Sequence, residues 1–176
     1  MASALVAGCS DKVEANDTLP STSPTKTTEA LAEVGPADFP VPDEARTKDA
    51  AGAEAFLRYW VDLINRQRAI PAGQPLRDLG PECEQCLHFA RVYDDAASKA
   101  RHFEGGELTL NDVPSPVLVG DRAQVNFGAA QAALSLVDKA GAVIEAASAE
   151  ANLPSGITLI WLENRRVWHV AGFTIG

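Results

Sequence analysis

"ITLIWL", residues 157–162, puts apolar side chains on both faces of any strand it forms. Ile157, Leu159 and Trp161 fall on one side, and Ile160 and Leu162 on the other. A strand apolar on both faces belongs in the middle of a sheet, with helices covering it. "RVWHVAGFTI", 166–175, reads as the next strand, and Glu163-Asn164-Arg165-Arg166 as the hairpin tip between the two.

Upstream, the period changes from two to that of a helix. In "RTKDAAGAEAFLRYWVDLINRQRA", Ala53, Phe56, Leu57, Trp60, Val61 and Ile64 form one apolar stripe. Glu54, Arg58, Asp62 and Arg66 alternate in sign every four residues and read as a solvated face. Thr47 is the expected N-cap, and Pro71 with Gly73 the stop. "QPLRDLG" allows one short helical turn. A second long helix is expected from about 84 to 104, burying Phe89, Val92, Tyr93, Ala96, Ala100 and Phe103 and stopped by Gly105-Gly106.

Beyond it, Leu108 and Leu110 open a strand bounded by Pro114 and Pro116, and Gly120-Asp121 marks a turn. Val125, Phe127 and Ala129 alternate, whereas Leu134 and Leu136 fall on the opposite parity. One long strand with a bulge or bend between 128 and 133 reconciles them. Lys139-Ala140-Gly141 then turns the chain into a strand over about 142–151. Helices followed by an antiparallel meander give an α+β domain, with the helices packed on a curved sheet. The absence of βαβ alternation and of a glycine-rich loop argues against a doubly wound nucleotide fold.

The chain has 176 residues and a formal net charge of −9, with 24 acidic against 15 basic side chains. That balance opposes nucleic-acid binding, which needs clustered positive charge. Three cysteines leave one to be explained apart from the Cys83-x-x-Cys86 pair. It is Cys9, and Val6-Ala7-Gly8-Cys9 resembles the lipobox of bacterial lipoproteins. The resemblance implies a diacylglyceryl group on the Cys9 thiol, loss of the preceding peptide, and enough acyl CH2 groups for stable anchoring. Residues 1–9 are then a truncated signal peptide, with no Lys or Arg before Cys9. Residues 10–44, rich in Pro, Ser and Thr, read as a disordered tether reaching roughly 30–35 Å. Residues 45–176 are the expected globular domain. The implied location is the outer face of the cell membrane, with the membrane met through lipid alone.

Helix, short helix, long helix and then four or more curved strands resemble the nuclear-transport-factor-like (cystatin-like) cone. More narrowly, "FPVPDEA" (39–45), "AEAFLRYWVDLIN" (53–65) and the CxxC pair resemble actinobacterial lipoproteins of unknown function.

In an oxidising compartment Cys83 and Cys86 are expected to form a disulfide at the start of the second long helix. Redox and zinc chemistry are the alternatives. Glu82 and Glu84 oppose a low thiol pKa, and zinc needs two ligands beyond the pair, with only His88 near. His88, His102 and His169 are dispersed, and Asp94-Asp95 beside Tyr93 face different ways on a helix. Trp60, Trp161 and Trp168 read as core. No catalytic, metal or cofactor-binding residue is assigned, and no cofactor is expected. A cone of this kind commonly encloses an apolar pocket, and Tyr59, Tyr93, Phe127 and Trp161 are the candidates for its walls. Two readings follow. One is a noncatalytic domain that binds a small ligand or protein partner at the cell envelope; the other is an enzyme of the polyketide-cyclase or dehydratase type, which requires an acid–base pair in the pocket.

Overall fold

A computed structural model of the chain describes residues 33–176. Cys9 and most of the expected tether lie outside the described residues. Three helices come first: α1 (Ala50–Ala69), α2 (Gln74–Leu79) and α3 (Glu84–Ser98). Four strands follow, β1 (His102–Gly105), β2 (Leu108–Asp112), β3 (Val117–Val119) and β4 (Arg122–Gln131). The last four are β5 (Leu134–Val137), β6 (Val143–Ala147), β7 (Glu150–Leu162) and β8 (Val167–Ile175). The main sheet runs β2-β4-β7-β8 with β3 also on β4, and a smaller sheet runs β1-β5-β6. Every pairing is antiparallel.

β7 is an interior strand, as its composition demands. Ile157, Leu159 and Trp161 are buried against the helical layer, while Ile160 and Leu162 on the other face are only half-buried. Pro154 is tolerated because pairing with β8 begins one residue later, at Ser155.

α1 carries most of the core. Phe56, Leu57, Trp60, Leu63 and Ile64 are each no more than 1% exposed. Its N-cap is Asp49 rather than Thr47: the Asp49 carboxylate accepts from Gly52 N at 2.7 Å. Thr47 supports the cap by donating its hydroxyl to the same carboxylate. Asp49 takes the cap because it stands directly before the helix, where its carboxylate reaches the first free N–H groups.

Residues 33–44, expected in the tether, are packed on the domain. Val34 and Val41 are buried and joined by a backbone bond from Val41 N to Val34 O. Phe39 stacks on Tyr59, whose hydroxyl donates to Phe39 O at 3.0 Å. Arg46, in a single 3-10 turn (Asp43–Arg46), donates to Arg165 O and Arg166 O at the β7–β8 hairpin. Two buried valines and the Phe39–Tyr59 stack offset the ordering of a proline-containing segment that composition alone marks as unstructured.

The second long helix ends six residues earlier than expected, at Ser98. Ala100 takes a left-handed conformation (φ 52°), Arg101 N bonds Ala96 O, and Ala100 N bonds Ala97 O. These two bonds close a Schellman cap, normally signalled by glycine. Phe103 therefore sits on β1 rather than on the helix, and Val92 is exposed rather than buried.

The β4–β7 register shifts between Ala129 and Gln131, as a bulge there would make it, but the strand then breaks instead of continuing. At Ala132–Ala133 the chain leaves the main sheet, and β5 pairs with β1 and β6. The expected strand over 142–151 likewise divides, its first part becoming β6 and its end the start of the long β7.

Candidate functional site

Between α1, α3 and the two sheets lies a half-enclosed cavity of about 170 Å³. Its apolar walls include Ile64 from α1, Phe89 and Val92 from α3, Phe103 from β1, Leu134 from β5 and Ile175 from β8. The polar lining is Arg68, His88, Tyr93 and Gln131. The larger grooves are more open. One of about 540 Å³ runs along Glu82, Glu84, His88 and Arg91 beside the end of β8.

Arg68 is the unusual member. It follows Trp60 and Ile64 at successive four-residue steps on α1, so it continues the apolar stripe and is itself only 5% exposed. None of the ion pairs among the described residues involves it. Its hydrogen-bond partner is the Asn65 side-chain oxygen. Asn65 also docks α1 on β2: its Nδ2 donates to Leu108 O at 2.8 Å and its Oδ1 accepts from Leu108 N at 2.9 Å. Room for the guanidinium comes from Gly106, at φ 77°, where a Cβ would stand 2.6 Å from an Arg68 terminal nitrogen. Burial pulls Arg68 down from its ordinary pKa, against the opposing pull of Tyr93 and Glu107. Guanidinium nonetheless keeps its charge at any physiological pH.

Tyr93 stands across the cleft, parallel to Phe89 and edge-on to Phe103 with ring centroids 5.6 Å apart. Burial pushes its hydroxyl up to about 12, although Arg68 draws it the other way. At neutral pH it is a neutral hydroxyl able to donate.

Of the four side chains expected to line a pocket, only Tyr93 lines this cleft. Tyr59 is committed to Phe39. Phe127 stacks on Phe173 within the core, and Trp161 lies edge-on to Trp168 with its indole N–H on Glu163. The space between the helices and the main sheet is thus largely filled, because β4, β7 and β8 send bulky rings inward.

The other candidates are dispersed. Cys83 and Cys86 are bonded in a disulfide and buried, with Cys83 as N-cap of α3 accepting from Cys86 N. Asp94 ties α2 to α3, accepting from Gly73 N at 2.8 Å and pairing with Arg77. Burial works against its charge, yet the Arg77 and Gly73 donors hold its carboxyl below the usual range. His102 meets Glu104 on exposed β1. His169, half-buried on β8, lies 3.4 Å from Arg165. His88 alone of the three borders the cleft, and among the described residues no carboxylate lines it with His88.

Arg68, Asn65 and Gln131 escaped the sequence reading. The signal was present in "INRQRA": Arg68 falls on the apolar stripe, four residues after Ile64, where a charge is out of place.

No protein-family model and no curated protein matches the chain. Among solved structures, the intermembrane-space region of the chloroplast protein ARC6 aligns over 73% of this chain and 97% of its own, with 14% identity and a TM-score of 0.52. A designed NTF2-like protein aligns over 70% and 99%, with 12% identity and a TM-score of 0.41. The ARC6 likeness is one of fold. The fold is an α+β roll with helices on a curved antiparallel sheet. In this chain the Arg68 cleft lies between the helices and the two sheets.

Proposed function

We propose that this chain is a noncatalytic binding domain displayed on the outer face of the cell envelope, held there by lipid on Cys9. It is a reading in line with the resemblance to actinobacterial lipoproteins. The observation that carries the binding role is the cleft: apolar walls around a buried cation, without an acid–base pair in its lining. Ligand pockets combine apolar walls with a few placed polar groups, and this cleft has that composition at small scale. The lipid anchor is supported by Val6-Ala7-Gly8-Cys9 and by the polar stretch after it. A cyclase or dehydratase requires a base and an acid converging on substrate, and His88 has no carboxylate beside it in the cleft.

The binding role is tested by thermal-shift screening of small fragments against the full chain and against Val92→Trp, which fills the cleft from its rim. Fragments should raise the midpoint of the wild type and not of the variant. A screen in which none distinguishes the two removes the cleft from the proposal. For the anchor, a palmitate analogue fed to the producing cells should label the wild type and leave Cys9→Ser unlabelled; equal labelling removes the anchor.

A further inference from the structure

We propose that the cleft takes a small carboxylic acid, its carboxylate on the Arg68 guanidinium and its compact apolar body against Ile64, Phe89, Phe103 and Leu134. This rests on the cleft being a binding site and adds the class of ligand.

A buried guanidinium that no carboxylate contacts directly is costly to keep, and here Glu107 acts on it only from beyond ion-pair distance. The sequence has 24 acidic side chains, yet none of the described ones pairs with Arg68. Holding α1 to β2 does not require the charge, because Asn65 makes both bonds to Leu108 by itself. Arginine has five N–H donors in a planar fork matched to the two oxygens of a carboxylate, and Asn65 occupies only one side of that fork. The fork is also held in place: Asn65 grips one terminal nitrogen, and the other has room beside Gly106 only because that residue has no Cβ. Such fixation lowers the entropy lost when an anion docks.

The lining sets the rest of the ligand. Aromatic and branched aliphatic walls favour an apolar body, and the Tyr93 hydroxyl and Gln131 amide can serve a second polar atom. A cavity of about 170 Å³ is close to the ~150 Å³ engineered cavity that holds a benzene ring. The body is therefore about one ring or a short branched chain, far from a long fatty acid. Phosphate monoesters match less well, since a dianion brings one charge too many for a single cation in an apolar cleft.

The test is calorimetric titration of the full chain with isobutyrate, benzoate and phenylacetate, each beside its neutral amide. In the wild type the acids should bind at least ~10-fold tighter than the amides, the worth of a charge-assisted bond. In Arg68→Met the two should fall within about twofold of each other. If Arg68→Met does not fold, Arg68→Lys is read instead; it keeps the charge without the fork, and acid affinity should fall while amide affinity holds. Equal binding of acids and amides by the wild type overturns the carboxylate inference and leaves the cleft as a binding site. Binding of neither set overturns both.

Discussion

Asn65→Ala removes the side chain that joins α1 to β2 and steadies the buried cation. Leu108 is 6% exposed, so its N–H and C=O lose the Asn65 bonds at 2.9 and 2.8 Å with little access to water. Leaving a buried polar group unsatisfied costs about 1–3 kcal/mol, and a bond to a charged donor is worth about 1.5–3 kcal/mol. The three share one side chain and do not simply add, so the expected loss is about 3–5 kcal/mol. That is a large part of the ~5–15 kcal/mol typical of a folded domain. Urea unfolding followed by tryptophan fluorescence should show a lower midpoint with an unchanged slope. A double-mutant cycle isolates the cation: in an Arg68→Met background, Asn65→Ala should cost about 1.5–3 kcal/mol less. A loss under ~1 kcal/mol, or the same loss in both backgrounds, refutes the assignment of Asn65 as support for Arg68.

Ala100→Gly should stabilise the fold by about 1 kcal/mol, because Ala100 sits at φ 52° where only glycine is unstrained; an unchanged unfolding midpoint contradicts this. Gly106→Ala should cost about 2 kcal/mol or more, its Cβ meeting Leu134 at 2.5 Å and Arg68 at 2.6 Å on a backbone of positive φ, and it should abolish ligand binding in the cleft. Replacing both Cys83 and Cys86 by serine should cost ~2 kcal/mol from the lost loop constraint, read as a lower urea midpoint matched by the reduced wild type. Burial and then Arg165 hold the His169 imidazole below its ordinary pKa, against the pull of Glu82. The folded state thus binds its proton less readily than the unfolded chain. Its contribution is intact above about pH 6.5 and lost as pH falls through the unfolded and then the folded value. His169→Gln should lose less stability between pH 7.5 and 5 than the wild type, and an equal loss contradicts that account.

The order of elements was legible because burial leaves a periodic trace. ITLIWL marked an interior strand, and the Ala53–Ile64 stripe marked the helix that carries the core. Three features were hidden, each for a physical reason. The end of α3 was missed because its cap residue is Ala100, so no glycine announced the left-handed turn. The switch from β4 to β5 was visible as a parity change, but a bulge and a change of sheet flip the parity alike, and only pairing partners separate them. The packing of residues 33–44 depends on Phe39 meeting Tyr59 twenty positions away, which no local composition shows. The site was less legible than the fold. Large aromatics at Phe127 and Trp161 suit a pocket wall and a filled core equally well, and the structure uses them as core. Arg68 lies in an arginine-rich helix end, and only its phase on the stripe, four residues after Ile64, sets it apart from Arg58 and Arg66.

The most direct test of a carboxylate site in this cleft is methyl-detected magnetic resonance of the full chain during titration with phenylacetate. Saturable shifts should concentrate on the methyls of Ile64, Val92, Leu108, Leu134 and Ile175 around the cavity, and should need ~10-fold more phenylacetate to saturate in Arg68→Met. Shifts that scatter over the outer face of the sheet, or that persist unchanged without Arg68, contradict it.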